Sequence, residues 1–556
     1  MAPLAALLLP LLAALPLCAA AAFSPFRMAR IFTENAILQR APASARVWGW
    51  TLPLSPVAVR LNCSASHGTV FAGNVTSDAT GLWVAELPPQ PGSPAPCYAS
   101  FTDAASGNAV WFLNWRFGEV LLCLGQSNQD LPTSYIENGT AYIADSPHYG
   151  PYIAVFQLPL SAFSTTAAAQ PQAELLASRP WAPASPEAVQ AFSGECYLVA
   201  LGMFEGVKGA EGAGVPVGAI QSDWPGASIT QLVAPSVLAA CATGEEEAAV
   251  EALDYPGPIP GPGPPSSQWN TMVAPLTVGP LAVNNFIYHQ GEADVHGWYD
   301  PAHFANLTDA DVFAWYSCRL TAAIADFRAS LGNLPNAWMG VSQLNPYAGD
   351  CAANNGCSHV AAIRSAQLAV ALATPRCSAG VIPDLGDPWA PAGSVHSRRK
   401  AELAQRLVAG LRATRSGASP ARAPYGPTLA AATDASAPGA LGARLAFDPA
   451  SVAGGLRLVY GVNGTSWCPV GASPTAPTLQ ECGFYELQGS LSGWVNGSLT
   501  LTGSASALLT APTALGAGDR VLATRGYWNA YPVATLCGGN MLPAVPWLVQ
   551  VGAAAA

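Results

Sequence analysis

Charge is what this sequence has least of. Asp, Glu, Lys and Arg together make up 10% of its 556 residues, and the 23 basic residues form no block. With a net charge of −11 and no basic patch, nucleic acid and anionic membrane surfaces are excluded as partners. No CxxC pair occurs, which argues against a structural zinc site. No GxGxxG fingerprint, Walker A loop or HExxH helix is present, so no nucleotide, metal or other cofactor is implied. A Gly-x-Ser-x-Gly elbow is also missing, which disfavours the α/β-hydrolase fold. Beyond residue 22 no apolar run is long enough to cross a bilayer. Histidine is scarce too: seven in the whole chain leave a short list from which a general base can come.

What remains is 51% apolar, with 53 glycines and 50 prolines. This suits a turn-rich, strand-rich chain that can build cores, and its length calls for two or three domains. Residues 1–22 (MAPLAALLLPLLAALPLCAAAA) end in small residues and are too short and Pro-interrupted for a comfortable span. They read as a secretory signal peptide that lacks the usual basic start. Its removal takes Cys18 and leaves twelve of the 13 cysteines, an even number suited to disulfides in an oxidising compartment. Cys351 with Cys357 and Cys468 with Cys482 could each close a small loop. Six N-x-Ser/Thr sequons, at Asn62, Asn74, Asn138, Asn306, Asn463 and Asn496, could supply the surface solvation that scarce charges do not. The expected location is therefore outside the cell or in a lysosomal or vacuolar lumen, with no membrane partner after cleavage. Nothing sets an oligomeric state.

Along the chain, residues 23–110 read as a β-rich module, with alternating segments such as 46–50 and 57–61 separated by turn residues. From 111 to 420 strands and helices alternate, the pattern of an α/β domain with a mostly parallel sheet flanked by helices. Strands are expected to end at Ser127, near Gln221, near Gln290 and at Asp384; helices are expected over 311–331, 361–373 and 399–415. Residues 244–267, acidic and then Pro/Gly-rich, form a linker or surface excursion. Residues 421–556 read as a second β-rich module.

The most telling segment is Phe117 to Asn128, where an apolar run stops at Gly125-Gln126-Ser127-Asn128. A buried strand that delivers a serine to a tight turn is a good place for a nucleophile, although alone it is equally an ordinary turn. His396 lies in a loop between a strand and a helix and is the candidate base; His67, His148 and His359 read as surface residues. His289, Glu292, Asp294, His296, Asp300 and His303 crowd one short stretch. Their spacing matches no helical ligand pair, and Gly291, Gly297 and Pro301 break any helix, so no metal is assigned. Trp298, Tyr299 and Trp315 nearby could line a sugar pocket or a core.

Five blocks resemble the sialate O-acetylesterase family of SGNH-type carbohydrate esterases, in order. They are Leu38-Gln39-Arg40-Ala41-Pro42 with Val47-Trp48-Gly49; the GQSN box; Pro216 to Ala227; Trp269 to Leu276 with Tyr288-His289-Gln290-Gly291-Glu292; and Asp384-Leu385-Gly386-Asp387 leading to Ser394-Val395-His396-Ser397-Arg398-Arg399-Lys400. The resemblance runs from about residue 23 to 415. It implies an SGNH-like sheet, a serine esterase that needs no cofactor, and an O-acetylated carbohydrate as substrate. Ser127 would be the nucleophile and His396 the base, with Ser127, Gly226 and Gln290 supplying the oxyanion hole. The acidic partner would be Asp384 or Asp387, with Glu292 as a further orienting candidate. Two departures stand out. The family's Trp-Gly-Gly-Thr is Trp224-Pro225-Gly226-Ala227 here, and Gly393 and Ser394 stand where many SGNH enzymes place an aspartate before the histidine. O-acetylated sialic acid is the substrate the resemblance points to. Acetylated plant-type polysaccharide, a catalytically weak glycan-binding relative, and a structural β-rich glycoprotein remain as alternatives.

Overall fold

A computed structural model describes residues 26–64, 68–158, 170–176, 178–208, 214–242, 263–295, 307–346, 359–417, 425–458, 467–470, 478–481, 485–512, 518–528 and 535–552. Residues 1–22, His67, Cys351, Cys357 and most of the 244–267 excursion lie outside them. So do Cys482, His296, Trp298, Tyr299, Asp300 and His303.

The fold is α/β and is organised by one long strand. This strand, β1 (Ala109–Gly125), belongs at its first half to an antiparallel β region and at its second half to a parallel sheet. The expected module boundary at 110 therefore falls within a continuous strand, because the ladder hydrogen bonds never break there. The other strands of the central sheet are β2 (Ile153–Gln157), β3 (Arg179–Pro183), β4 (Val217–Asp223), β5 (Asn285–His289), β6 (Trp338–Ser342) and β7 (Cys377–Gly380). Their order is β3-β2-β4-β1-β5-β6-β7, with only the edge strand β3 antiparallel to its neighbour. β1 is thus central: the chain builds β2, β3 and β4 on one side of it and then crosses to β5, β6 and β7 on the other. Ligand crevices form at such switch points, beyond the carboxyl ends of the strands.

A sheet buried on both faces needs apolar residues at every position, not only alternate ones. β1 obeys: Val120, Leu122 and Leu124 enter one core, while Leu121 and Cys123 enter the other. On the first face lie α3 (Asp309–Ser330) and α4 (Val360–Ala373). The second is covered by α2 (Gly194–Lys208) and α5 (Lys400–Arg415), which approach closely because Gly202 leaves room for Val408. Helices α3, α4 and α5 fall within two residues of their expected starts. Strand β7 ends at Gly380, so Asp384 stands four residues beyond the strand rather than at its end. Beyond residue 425, two four-stranded antiparallel sheets enclose a core of their own around Leu441, Leu487 and Trp547. No helix among the described residues is long and apolar enough to cross a membrane.

Three disulfides are present among the described residues. Cys63–Cys97 joins directly paired strands, Cys123–Cys196 pins β1 to α2, and Cys241–Cys318 fastens the segment after β4 to α3. Cys377 and Cys537 are buried thiols. Burial raises both thiol pKa values to about 11, which keeps them protonated and unreactive. Cys123–Cys196 closes 73 residues of chain, which on chain-entropy grounds stabilises the fold by about 4 kcal/mol. Replacing both cysteines by alanine is expected to lower the unfolding free energy by roughly that amount, read as a fall in the denaturant midpoint. An unchanged midpoint would show that this bridge does not constrain the unfolded chain.

Candidate active site

The ladder registers set the site. Gly125 of β1 pairs with Asp223 of β4 on one side and His289 of β5 on the other. His289 pairs in turn with Ser342, and Ser342 with Gly380. Five strands therefore end along one line, and the GQSN, WPGA and HQGE segments leave the sheet side by side. Gly125 makes the close approach possible: its φ is 153°, and a Cβ there would sit 2.1 Å from the His289 carbonyl oxygen. Immediately after it, Ser127 opens the one-turn helix α1 (Ser127–Asp130) and is half-buried, while its neighbours Gln126 and Asn128 are buried.

Those two neighbours stitch the segments together. The Gln126 N–H donates to the His289 carbonyl (3.1 Å), and its Oε1 accepts from Ala293 N–H (3.2 Å) and Gln290 Nε2 (3.3 Å). Asn128 Nδ2 donates to Glu292 Oε1 (2.6 Å) and to the Val395 carbonyl (2.9 Å). Its Oδ1 accepts from Asn345 Nδ2 (2.7 Å) and Lys400 Nζ (2.9 Å). The bond to Val395 brings the residue before His396 against the residue after Ser127.

His396 is half-buried and its Nδ1 faces the Ala392 carbonyl at 2.7 Å. A carbonyl can only accept, so Nδ1 carries the proton and Nε2 keeps its lone pair, the tautomer that a general base needs. Burial holds the imidazole below the usual histidine value; the Ala392 carbonyl and Glu292 oppose this, and Lys400 and His289 reinforce it.

Neither expected aspartate orients this histidine. Asp384 forms a two-bond ion pair with Arg406 at 2.6 Å, and Asp387 is held by Arg398 at 2.5 and 3.1 Å. Each carboxylate is therefore spent on fastening the loop. The backbone carbonyl of Ala392 stands in the orienting role, next to Gly393, where many SGNH enzymes carry the acid. Gln290 also departs from expectation. It is 0% exposed, and its Nε2 faces Gln126 Oε1, the Ala227 carbonyl (3.1 Å) and Asp294 Oδ2. With three oxygens for two hydrogens, it stitches the segments and presents no donor to an acyl group. Glu292 is buried against Asn128 and lies 3.8 Å from His289.

Gly226 lies in a turn that is tied to the end of β1. Trp224 N–H donates to the Gly125 carbonyl (3.0 Å) and Ala227 N–H to the Trp224 carbonyl (3.1 Å). Pro225 then occupies the second position of a tight turn and Gly226, with φ of 78°, the third, which is where a type II turn favours proline and glycine. The substitution Gly→Pro relative to the family pattern is thus accommodated by the backbone.

Several participants carried little or no signal in the sequence. Glu195, the second residue of α2, is fully buried and accepts from His289 Nδ1 (2.6 Å) and Ser342 Oγ (2.7 Å). Burial pushes its carboxyl up, but His289, Lys400 and Ser342 together hold it below the ordinary value. Nothing in its own segment marked it. Asn128 and Lys400 were visible only as the last letters of two motifs. His359, expected at the surface, is buried and pairs with Asp309 at 2.9 Å. Of the crowded His/Asp/Glu stretch, the described members His289, Glu292 and Asp294 serve these hydrogen bonds. Burial raises Asp294 to about 7, against the pull of Gln290 and the Ile229 N–H.

Asp130, the last residue of α1, and Asp223, the last of β4, form a carboxyl pair, both contacted by Gln221 Nε2 (3.0 and 3.1 Å). Burial raises both pKa values, and for Asp223 the neighbouring Asp130 adds to the rise. A carboxyl whose folded pKa lies above its unfolded value costs stability as pH climbs from about 4 through the raised value. Asp223→Asn is expected to flatten that fall, so its melting temperature gains on wild type as pH rises from 4 to 8. Parallel melting curves for the two proteins across this range would contradict the raised carboxyl pKa of Asp223.

Known proteins similar to this chain are esterases. The chain is 26% identical over 404 residues to sialate O-acetylesterase of Pongo abelii, covering 70% of this chain and 71% of that protein. The human enzyme of that name is 25% identical over the same shares, and that of Mus musculus 24% identical, covering 70% and 73%. No family model matches. In fold, the chain is similar to a carbohydrate acetylesterase of Xanthomonas citri, with a TM-score of 0.69 at 22% identity, covering 94% of this chain and 99% of that one. The class is that of the carboxylic ester hydrolases. Within it, the curated relatives that the chain resembles are sialate O-acetylesterases, at 24–26% identity over 70% of its length.

Proposed function

We propose that this protein is an SGNH-type serine esterase that removes O-acetyl groups from carbohydrates, and that O-acetylated sialic acid is the substrate class. The observation that carries the reading is the Asn128 Nδ2 bond to the Val395 carbonyl. It fastens the turn bearing a half-buried serine to the loop bearing a histidine in the basic tautomer. Such a pair is what ester hydrolysis requires. Ser127 Oγ attacks the acetyl carbonyl while His396 Nε2 takes its proton. The tetrahedral oxygen draws on backbone donors at Ser127, the first residue of a helix, and at Gly226. His396 returns the proton to the departing sugar hydroxyl, leaving an acetyl-enzyme. Water, deprotonated by the same nitrogen, releases acetate and restores Ser127.

Ala392 orients the imidazole in place of a carboxylate. Asp384 and Asp387 act one step removed, by holding the His396 loop through Arg406 and Arg398. The polysaccharide-deacetylase alternative shares every one of these steps and differs only in the sugar. The glycan-binding alternative is carried by the missing carboxylate beside His396, and turnover decides it. Secretion is favoured by the signal-like start, the disulfides and the exposed sequons at Asn74, Asn138 and Asn496.

Hydrolysis of 4-nitrophenyl acetate should fall by at least about 10³-fold in Ser127→Ala and in His396→Ala, with folding retained. Asp384→Asn should cost no more than about tenfold, far less than the ~10⁴ that follows loss of a triad aspartate. The acid limb of kcat/KM should lie below pH ~6.5, because the lowered imidazole pKa keeps the base unprotonated into mild acid. Equal background rates in wild type and Ser127→Ala would rule out the esterase and leave glycan binding.

A further inference from the structure

We propose that Lys400 is a positioning residue of this site: its buried ammonium fixes the Asn128 amide, and through it the His396 segment. The inference rests on the ester-hydrolase reading of Ser127 and His396. Lys400 is 1% exposed and is the first residue of α5. A lysine there is doubly unfavourable. Burial of a charge costs several kcal/mol unless it is paired, and a cation at a helix N-terminus opposes the macrodipole. Its partners are polar and lie within the site: Asn128 Oδ1 at 2.9 Å and Glu195 Oε2 at 3.8 Å.

The consequence for Asn128 is geometric. Its oxygen receives Lys400 and Asn345, and its nitrogen serves Glu292 and Val395. Turning the amide over would set its NH₂ against an ammonium, which has only donors, and its oxygen against a carboxylate and a carbonyl, which only accept. The ammonium thus selects one of the two amide orientations, and only that one holds the Val395 carbonyl. Val395 is bonded directly to His396. Lys400 also bears on the imidazole electrostatically, as one of four groups acting on it with Glu292, His289 and the Ala392 carbonyl.

Lys400→Met, of similar length but uncharged, tests this by steady-state kinetics of 4-nitrophenyl acetate hydrolysis, with active enzyme counted by an organophosphorus titrant. The expected result is a kcat about 10- to 100-fold lower, as for a small misplacement of reacting groups, with KM within about threefold. The acid limb should also move to higher pH as the repelling cation is lost. A Lys400→Gln variant keeps a donor for Asn128 Oδ1, so it should recover much of kcat while retaining the displaced limb. A folded Lys400→Met enzyme with unchanged kcat and acid limb would overturn the assignment. If Lys400→Met does not fold, Lys400→Gln carries the test; if neither folds, Lys400 is a stability element and the assignment falls. Wild type lacking Ser127-dependent turnover would instead overturn the esterase reading beneath it.

Discussion

A single side-chain amide, that of Asn128, joins elements more than 260 residues apart in sequence. It is fully buried, where an unpaired polar group costs about 1–3 kcal/mol, and all four of its hydrogen-bonding positions are used. That saturation gives the bond pattern one arrangement, because three of the four partners can play only one part: the carboxylate and the carbonyl accept and the ammonium donates. The strand ends, the serine turn and the histidine loop are referenced to this one group. Gln126, on the other side of Ser127, performs the matching task for the β5 segment. Ser127, the proposed nucleophile, is therefore held by its buried neighbours while being itself half-buried.

This arrangement divides labour between rigid and adjustable parts. The parallel sheet levels Gly125, Asp223, His289, Ser342 and Gly380 by backbone ladders, with the lack of a side chain at Gly125 allowing the close approach to His289. The loops beyond those ends are then fixed by polar side chains, of which Arg398 and Arg406 pin the histidine loop by ion pairs. Glu195 and Lys400 lie beneath as buried charges that compensate each other only in the folded chain.

Much of this was legible before folding was considered. The apolar text of β1 broken at Gly125-Gln126-Ser127-Asn128 marks a strand delivering a serine, and the helical spacing of apolar residues marks α3, α4 and α5 closely. Ser127 and His396 stood out because their residue types carry chemistry and their surrounding motifs recur in a family. Strands β2, β3 and β6 and helix α2 were not identified: they are short apolar or small-residue runs that periodicity does not separate from neighbouring text. Asp384 and Asp387 were mistaken for partners of His396 because proximity along the chain says nothing of direction, and nearby arginines outcompete a neutral imidazole for a carboxylate.

By itself the sequence determined the strand that delivers Ser127 and, through motifs that recur in a family, the class of chemistry and the candidates Ser127 and His396, since a run of apolar positions, a turn and a motif are all local. Tertiary structure alone decided what orients the histidine, what Gln290 and Glu292 do, and that Glu195 and Lys400 belong to the site. Those roles depend on which donors meet which acceptors across 94 to 272 residues of chain. Hydrogen-bond direction and burial are properties of the assembled core, and no segment carries them alone.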